Sequence, residues 1–185
     1  MDGHPEIGPT YNPKHAAEEK AKWAEVIGRF MVAFNHVDQT IDMVVVTLGS
    51  ANLMDFAISL SVPVRCRFMK ALVRDQKPTA ELVKLSEKLA KEIVDLNEKR
   101  NLVAHNPPNA SVRWNDENSL EVQIRLISRK NKIEISMAEI EDWIAQANAT
   151  AMQVFRMLAL IKGTGPWIPQ EANTALPRSL LDPKK

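Results

Sequence analysis

The chain has 185 residues, 45% of them hydrophobic and 25% charged, and its 24 Lys and Arg against 23 Asp and Glu leave a net charge of +1. That length suits one domain with a core large enough to fold alone. Near-neutrality supplies no global field toward nucleic acid or membrane, so any nucleic-acid role needs a local basic patch. The single Cys66 excludes an intramolecular disulfide and a cysteine-built zinc site. A cytoplasmic, reducing environment is expected, since Met1 to Pro13 is a polar, proline-bearing segment without the charged head and apolar run of a signal peptide. The longest markedly apolar stretch, Met43 to Leu48, is far too short to span a bilayer.

In chain order, a flexible N-terminal segment (1–13) is expected to precede a helical domain (14–162). A first helix is predicted from Lys14 to Leu48, because Trp23, Ile27, Phe30, Phe34, Val37, Ile41, Val44 and Leu48 recur at alternating spacings of four and three and form one stripe. Gly49-Ser50 stops it. Such a helix is roughly 50 Å long at 1.5 Å per residue, which predicts packing along its length in a bundle or a dimer. A second helical region spans Leu53 to Asp75, with Pro63 starting a new helix or kinking the existing one. A third runs to His105 with Leu82, Leu85, Leu89, Ile93, Leu96 and Val103 on its apolar face, and Asn106-Pro107-Pro108-Asn109 ends it.

Between Ser111 and Ile135 the period changes to two. Leu120, Val122, Ile124 and Leu126 alternate with polar residues, the pattern of a strand with one buried face. Turns are expected at Asn115 to Asn118 and at Arg129 to Lys132, giving an antiparallel hairpin or three-stranded meander with Val112 to Trp114 before and Ile133 to Ile135 after. Ser136 and Glu139 then have the spacing of a capping box. The helix they open carries the seam Ile140, Ile144, Ala147, Ala151, Val154, Leu158 and Ile161, whose alanines predict a close helix–helix approach, and Gly163 ends it. Residues 163–185 form a proline-rich C-terminal arm carrying Trp167, Ile168, Leu176, Leu180 and Leu181. The fold class is therefore mainly α: an up-and-down bundle of four to five helices with a small antiparallel β insertion (about 111–135) before the last long helix.

Chemistry concentrates at the end of the third helix. There is no internal repeat, P-loop, dinucleotide fingerprint, Cys-x-x-Cys or His-Glu-x-x-His, and no cofactor or metal is expected. Asn101 and His105, four apart, share a helix face, with Glu98 one turn back and Arg100 beside them. An arginine fork suits a phosphate, and a histidine suits proton transfer at neutral pH. Together they fit attack of a ribose 2′-hydroxyl on its own phosphodiester, with His105 moving the proton, Arg100 stabilising the phosphorane charge and Asn101 orienting either. The same residues also fit a plain helix end, where Arg100 and His105 complement the dipole and His105 caps free carbonyls.

The Arg100-Asn101-x-x-x-His105 pattern at the end of a long helix resembles the motif of the HEPN superfamily. The resemblance implies a helical bundle that forms homodimers, often with the motifs of both protomers in one composite cleft. For active members it implies a metal-independent endoribonuclease, frequently of toxin–antitoxin or phage-defence type, with an antitoxin or nucleotidyltransferase-like protein as partner. Other relatives are non-catalytic helical dimerisation or interaction modules. The β insertion departs from the minimal bundle. Arg100 and His105 lie about 140° apart around the helix axis at 3.6 residues per turn, a separation that a composite dimer cleft would solve.

Two further features stand out. Arg65, Arg67, Lys70, Arg74 and Lys77 form a basic run uninterrupted by acid between Ala57 and Arg74. Of these, Arg67, Lys70, Arg74 and Lys77 fall at three- and four-residue spacings on one predicted helix face, fitting an RNA backbone or a solvated face paired with neighbouring carboxylates. On the first helix, Asn35, His36, Asp38, Gln39 and Asp42 run beside the apolar seam. Asp38 and Asp42 are expected to face water or to buttress the polar end of another helix, with Arg100 the candidate. Most of the scarce aromatics read as core.

Overall fold

The computed structural model describes residues 13–50, 52–106, 108–114, 120–127 and 134–163. Along them run helix α1 (Pro13–Leu48), the short α2 (Asn52–Ile58), α3 (Val62–Asp75) and α4 (Ala80–His105), then strands β1 (Asn109–Trp114), β2 (Leu120–Ile127) and β3 (Glu134–Ile135), and finally α5 (Met137–Lys162). Mainly helical architecture with a β insertion before the last long helix is what the change of period predicts. The expected turns at 115–118 and 129–132, the N-terminal segment before Pro13 and the arm after Gly163 lie outside the described residues.

Each boundary has a local cause. Gly49 follows α1 where a Cβ would stand 2.7 Å from the Val45 carbonyl oxygen and 3.0 Å from Leu53, so only glycine lets the chain turn so closely. Pro63 sits in the first turn of α3, where its missing N–H costs nothing, and it therefore divides the second helical region in two. The Thr79 hydroxyl accepts from the Leu82 N–H to cap α4. At α5 the capping box is complete: Glu139 N–H donates to Ser136 Oγ, and the Ser136 N–H donates to Glu139 Oε2 at 2.7 Å. Gly163 ends α5 in the left-handed conformation, φ 65°.

Side-chain pairs fix the helix directions. Lys99 of α4 donates to Gln146 of α5 and stands over the Trp143 ring, while Thr150 of α5 donates to Glu92 of α4. As one number rises the other falls, so α4 and α5 are antiparallel. Arg29 of α1 pairs with Glu141, Phe30 packs on Trp143, and His36 shares a groove with Asn148, so α1 and α5 run parallel. The β segment carries the chain between them at the end where α4 finishes. Its order is β1-β2-β3, all antiparallel, with Val112 opposite Val122 and Leu126 opposite Ile135.

The core is the predicted stripes brought face to face. Phe30, Val37, Ile41 and Val44 from α1 meet Leu89, Ile93 and Leu96 from α4 and Ile140, Ala147, Val154 and Met157 from α5 in one buried cluster, closed by Leu126 and Ile135 from the sheet. Ala147 and Ala151 are buried as close helix packing requires. Cys66 of α3 joins this cluster, and burial pushes its thiol up to about 11, so it stays protonated and inert at neutral pH.

The capping box has a pH signature. Hydrogen bonds from the Ser136 backbone N–H and hydroxyl hold Glu139 below the ordinary glutamate range. A lowered folded value means the contribution is complete above the unfolded value, about 4.3, and is lost as pH falls through the folded one. Ser136→Ala is expected to cost about 1 kcal/mol at neutral pH. Urea titrations from pH 7 to pH 3 should show the gap to wild type closing on the acid side.

Candidate functional site

The last turns of α4 are only partly covered. Arg74 on α3 pairs with Glu87 on α4 at 2.6 Å, and the two helices form a hairpin through residues 76–79. Counting twelve residues back from Arg74 and twelve forward from Glu87, about 18 Å each, places the start of α3 at Val62 level with about Lys99. The final turn of α4, from Arg100 to His105, therefore extends past α3.

On that turn His105 is exposed, and Arg100 and Asn101 are half-buried. Asn101 and His105 continue the strip Glu87, Lys91, Val94 and Glu98, spaced alternately by four and three, so they look out on the α3 side of α4. Arg100 starts elsewhere: seven residues after Ile93, it leaves the helix on the core-facing side, which accounts for its burial. Its guanidinium Nη1 donates to Asn101 Oδ1 at 3.0 Å. Around the helix axis Asn101 lies between the two, about 100° from Arg100 and about 40° from His105.

The capping function open to a C-terminal histidine is filled by its neighbour. Asn106 Nδ2 donates to the Leu102 carbonyl at 2.7 Å, and no described residue holds His105 by a hydrogen bond. An exposed imidazole, a half-buried guanidinium and an amide that links to it thus share one end of α4. Glu98 is exposed on the same strip without an ion pair to Arg100.

The acidic pair of α1 has a different partner from the one expected. Asp38 and Asp42 both accept from Arg65 on α3, at 2.5 and 2.9 Å, rather than from Arg100. Arg65 is 6% exposed. Burial works against its charge, but the two carboxylates outweigh that and raise its pKa above the ordinary arginine value. Its Nε stays without a hydrogen bond, so the clamp depends on the two Nη contacts. Sequence alone missed this pairing: Arg65 lies one turn before Met69 and four residues before it on the buried side of α3, a position the basic run disguises.

The rest of the run is dispersed. Arg67 is exposed, Lys70 is half-buried and Arg74 is exposed but engaged with Glu87. Lys77 does not share their helix face, because α3 ends at Asp75 and Lys77 adopts φ 51° in the connection. Among the described residues no three His, Cys, Asp or Glu side chains group as metal ligands, and no helix is long and apolar enough to cross a membrane. Compared with known protein families, curated proteins and solved structures, the chain matches none.

Removing both carboxylates, Asp38→Ala with Asp42→Ala, strands a buried guanidinium and should cost about 3–5 kcal/mol in denaturant unfolding, whereas Arg74→Ala, breaking an exposed pair, should cost under about 1 kcal/mol. If RNA binds along α3, Arg67→Glu with Lys70→Glu should weaken it and flatten its salt dependence, measured by fluorescence anisotropy across a salt series. Lys77→Glu should have the smaller effect.

Proposed function

We propose that this is a HEPN-like RNA-binding protein that cleaves phosphodiesters without calling on a metal, using Arg100, Asn101 and His105 at the open end of α4. The observation that carries the reading is the Arg100–Asn101 hydrogen bond beside an exposed His105 that has no capping duty. A guanidinium positioned by an amide offers its remaining N–H groups as a fork for the non-bridging phosphate oxygens. His105 takes the proton of the ribose 2′-hydroxyl as the O2′–P bond forms. Arg100 stabilises the charge that accumulates on the phosphorane. The P–O5′ bond then breaks and the 5′-oxygen takes a proton from water, leaving a 2′,3′-cyclic phosphate and a 5′-hydroxyl end. Arg67 and Lys70, on the helix beside the same strip, supply positive charge for the flanking backbone. The resemblance adds a toxin–antitoxin or defence setting, a homodimer and an antitoxin-like or nucleotidyltransferase-like protein partner.

A second reading, a non-catalytic interaction module, is favoured by the apolar side chains that α1, α2 and α5 leave exposed. Incubating the protein with mixed RNA in EDTA separates the two. His105→Ala and Arg100→Ala should each lower the cleavage rate by about 10²–10⁴-fold, and Asn101→Ala, which releases the guanidinium, by a smaller factor. Equal traces of cleavage in wild type and variants would leave only the interaction module standing.

A further inference from the structure

α1 carries a second stripe that the core does not use. Val32, Gln39, Met43 and Val46 follow one another at spacings of seven, four and three. Gln39 stands two residues, about 200°, from the buried Val37, so this stripe is the outward face of α1. Toward the end of α1 the same face becomes the wall of a groove. Gln39, Asp42, Met43, Val46 and Thr47 of α1 and Met54 of α2 enclose about 450 Å³, within the range of small-ligand sites. Its apolar walls come from Met43, Val46 and Met54, while Gln39 and Asp42 place an amide and a carboxylate at one end.

The charge around this groove is unbalanced. Asp42 gives only Oδ1 to Arg65, and no described residue hydrogen-bonds its second oxygen. Arg65 is shared with Asp38, so the clamp sets two carboxylates against one guanidinium and keeps a net negative charge. Asp55, next to Met54, has no ion pair among the described residues, and no Lys or Arg occurs in the sequence between Arg29 and Arg65. Arg67 leaves α3 about 200° round from Arg65 and so points away from α1. The Asp42 side chain is 18% exposed, a depth at which a charge is screened less than in open water.

We propose that the groove binds a small primary ammonium compound with an aromatic body. The ammonium, with three N–H donors, donates to Asp42 Oδ2 and to the amide oxygen of Gln39, three residues away on the same side of α1. It thereby supplies the positive charge that the clamp lacks. A small anion is repelled by the surrounding carboxylates, and a wholly apolar ligand would cover the free Asp42 oxygen without giving it a partner. Four residues, about 6 Å, separate Asp42 from Val46, a span that a two-carbon linker between ammonium and ring covers. The ring then lies over Val46 beside Met43 and Met54, whose flexible thioethers adapt to its outline and make favourable sulfur–aromatic contacts. The proposal stands apart from the chemistry assigned to His105, and loss of RNA cleavage would leave it intact.

Isothermal titration calorimetry of the full chain with phenethylammonium, set against the neutral phenethyl alcohol, tests it. Wild type should bind the amine saturably at one site, and the alcohol on the order of tenfold more weakly for want of the charge-assisted hydrogen bond. Asp42→Asn should lower amine affinity by a similar factor and leave the alcohol unchanged; Asp38 still holds Arg65 in that variant, and an unaltered circular-dichroism spectrum checks its fold. Val46→Phe, which fills the groove, should abolish binding of both. No saturable binding of the amine by wild type, an alcohol bound as tightly as the amine, or an Asp42→Asn variant that keeps wild-type amine affinity would each overturn the proposal, and the first two need no variant. Amine affinity that falls as protein concentration rises would assign the groove to a second copy and overturn it as well.

Discussion

The placement of α3 rests on one buried guanidinium. Arg65 is taken almost wholly out of water and held by Asp38 and Asp42 of α1, an arrangement that is tolerable only because two carboxylates supply the charge and hydrogen bonds that water gave up. The clamp fixes a register, and the register sets how far α3 reaches along α4. With α3 held against the second half of α1 and joined to α4 through a short connection, its first residue stops short of the end of α4. Beyond it the last turns of α4 are only partly covered, and they carry Arg100, Asn101 and the exposed His105.

Within that turn, the arrangement answers a problem posed by helix periodicity. Five residues separate Arg100 from His105, which sends their Cβ atoms in different directions. Asn101 lies between them around the axis, and its amide oxygen accepts from the Arg100 guanidinium.

Periodicity made the scaffold legible in advance. Four- and three-residue spacings marked the buried faces of α1, α4 and α5, and alternation marked β2, because both patterns record which side chains must leave water together. Pro63, Ser136 and Gly163 marked boundaries for equally local reasons. What could not be read was any choice between partners of the same type. Asp38 and Asp42 had two arginines available, and only the packing of α3 decides for Arg65. Lys77 kept the helical spacing on paper, yet α3 had already ended. The outward stripe of α1 was hidden differently: its valines and methionine are the same residue types as the core seam, and a helix with apolar residues on two sides does not declare which side faces its own bundle. At α4 the residue pattern was visible, but the capping role of Asn106 and the Arg100–Asn101 bond required coordinates.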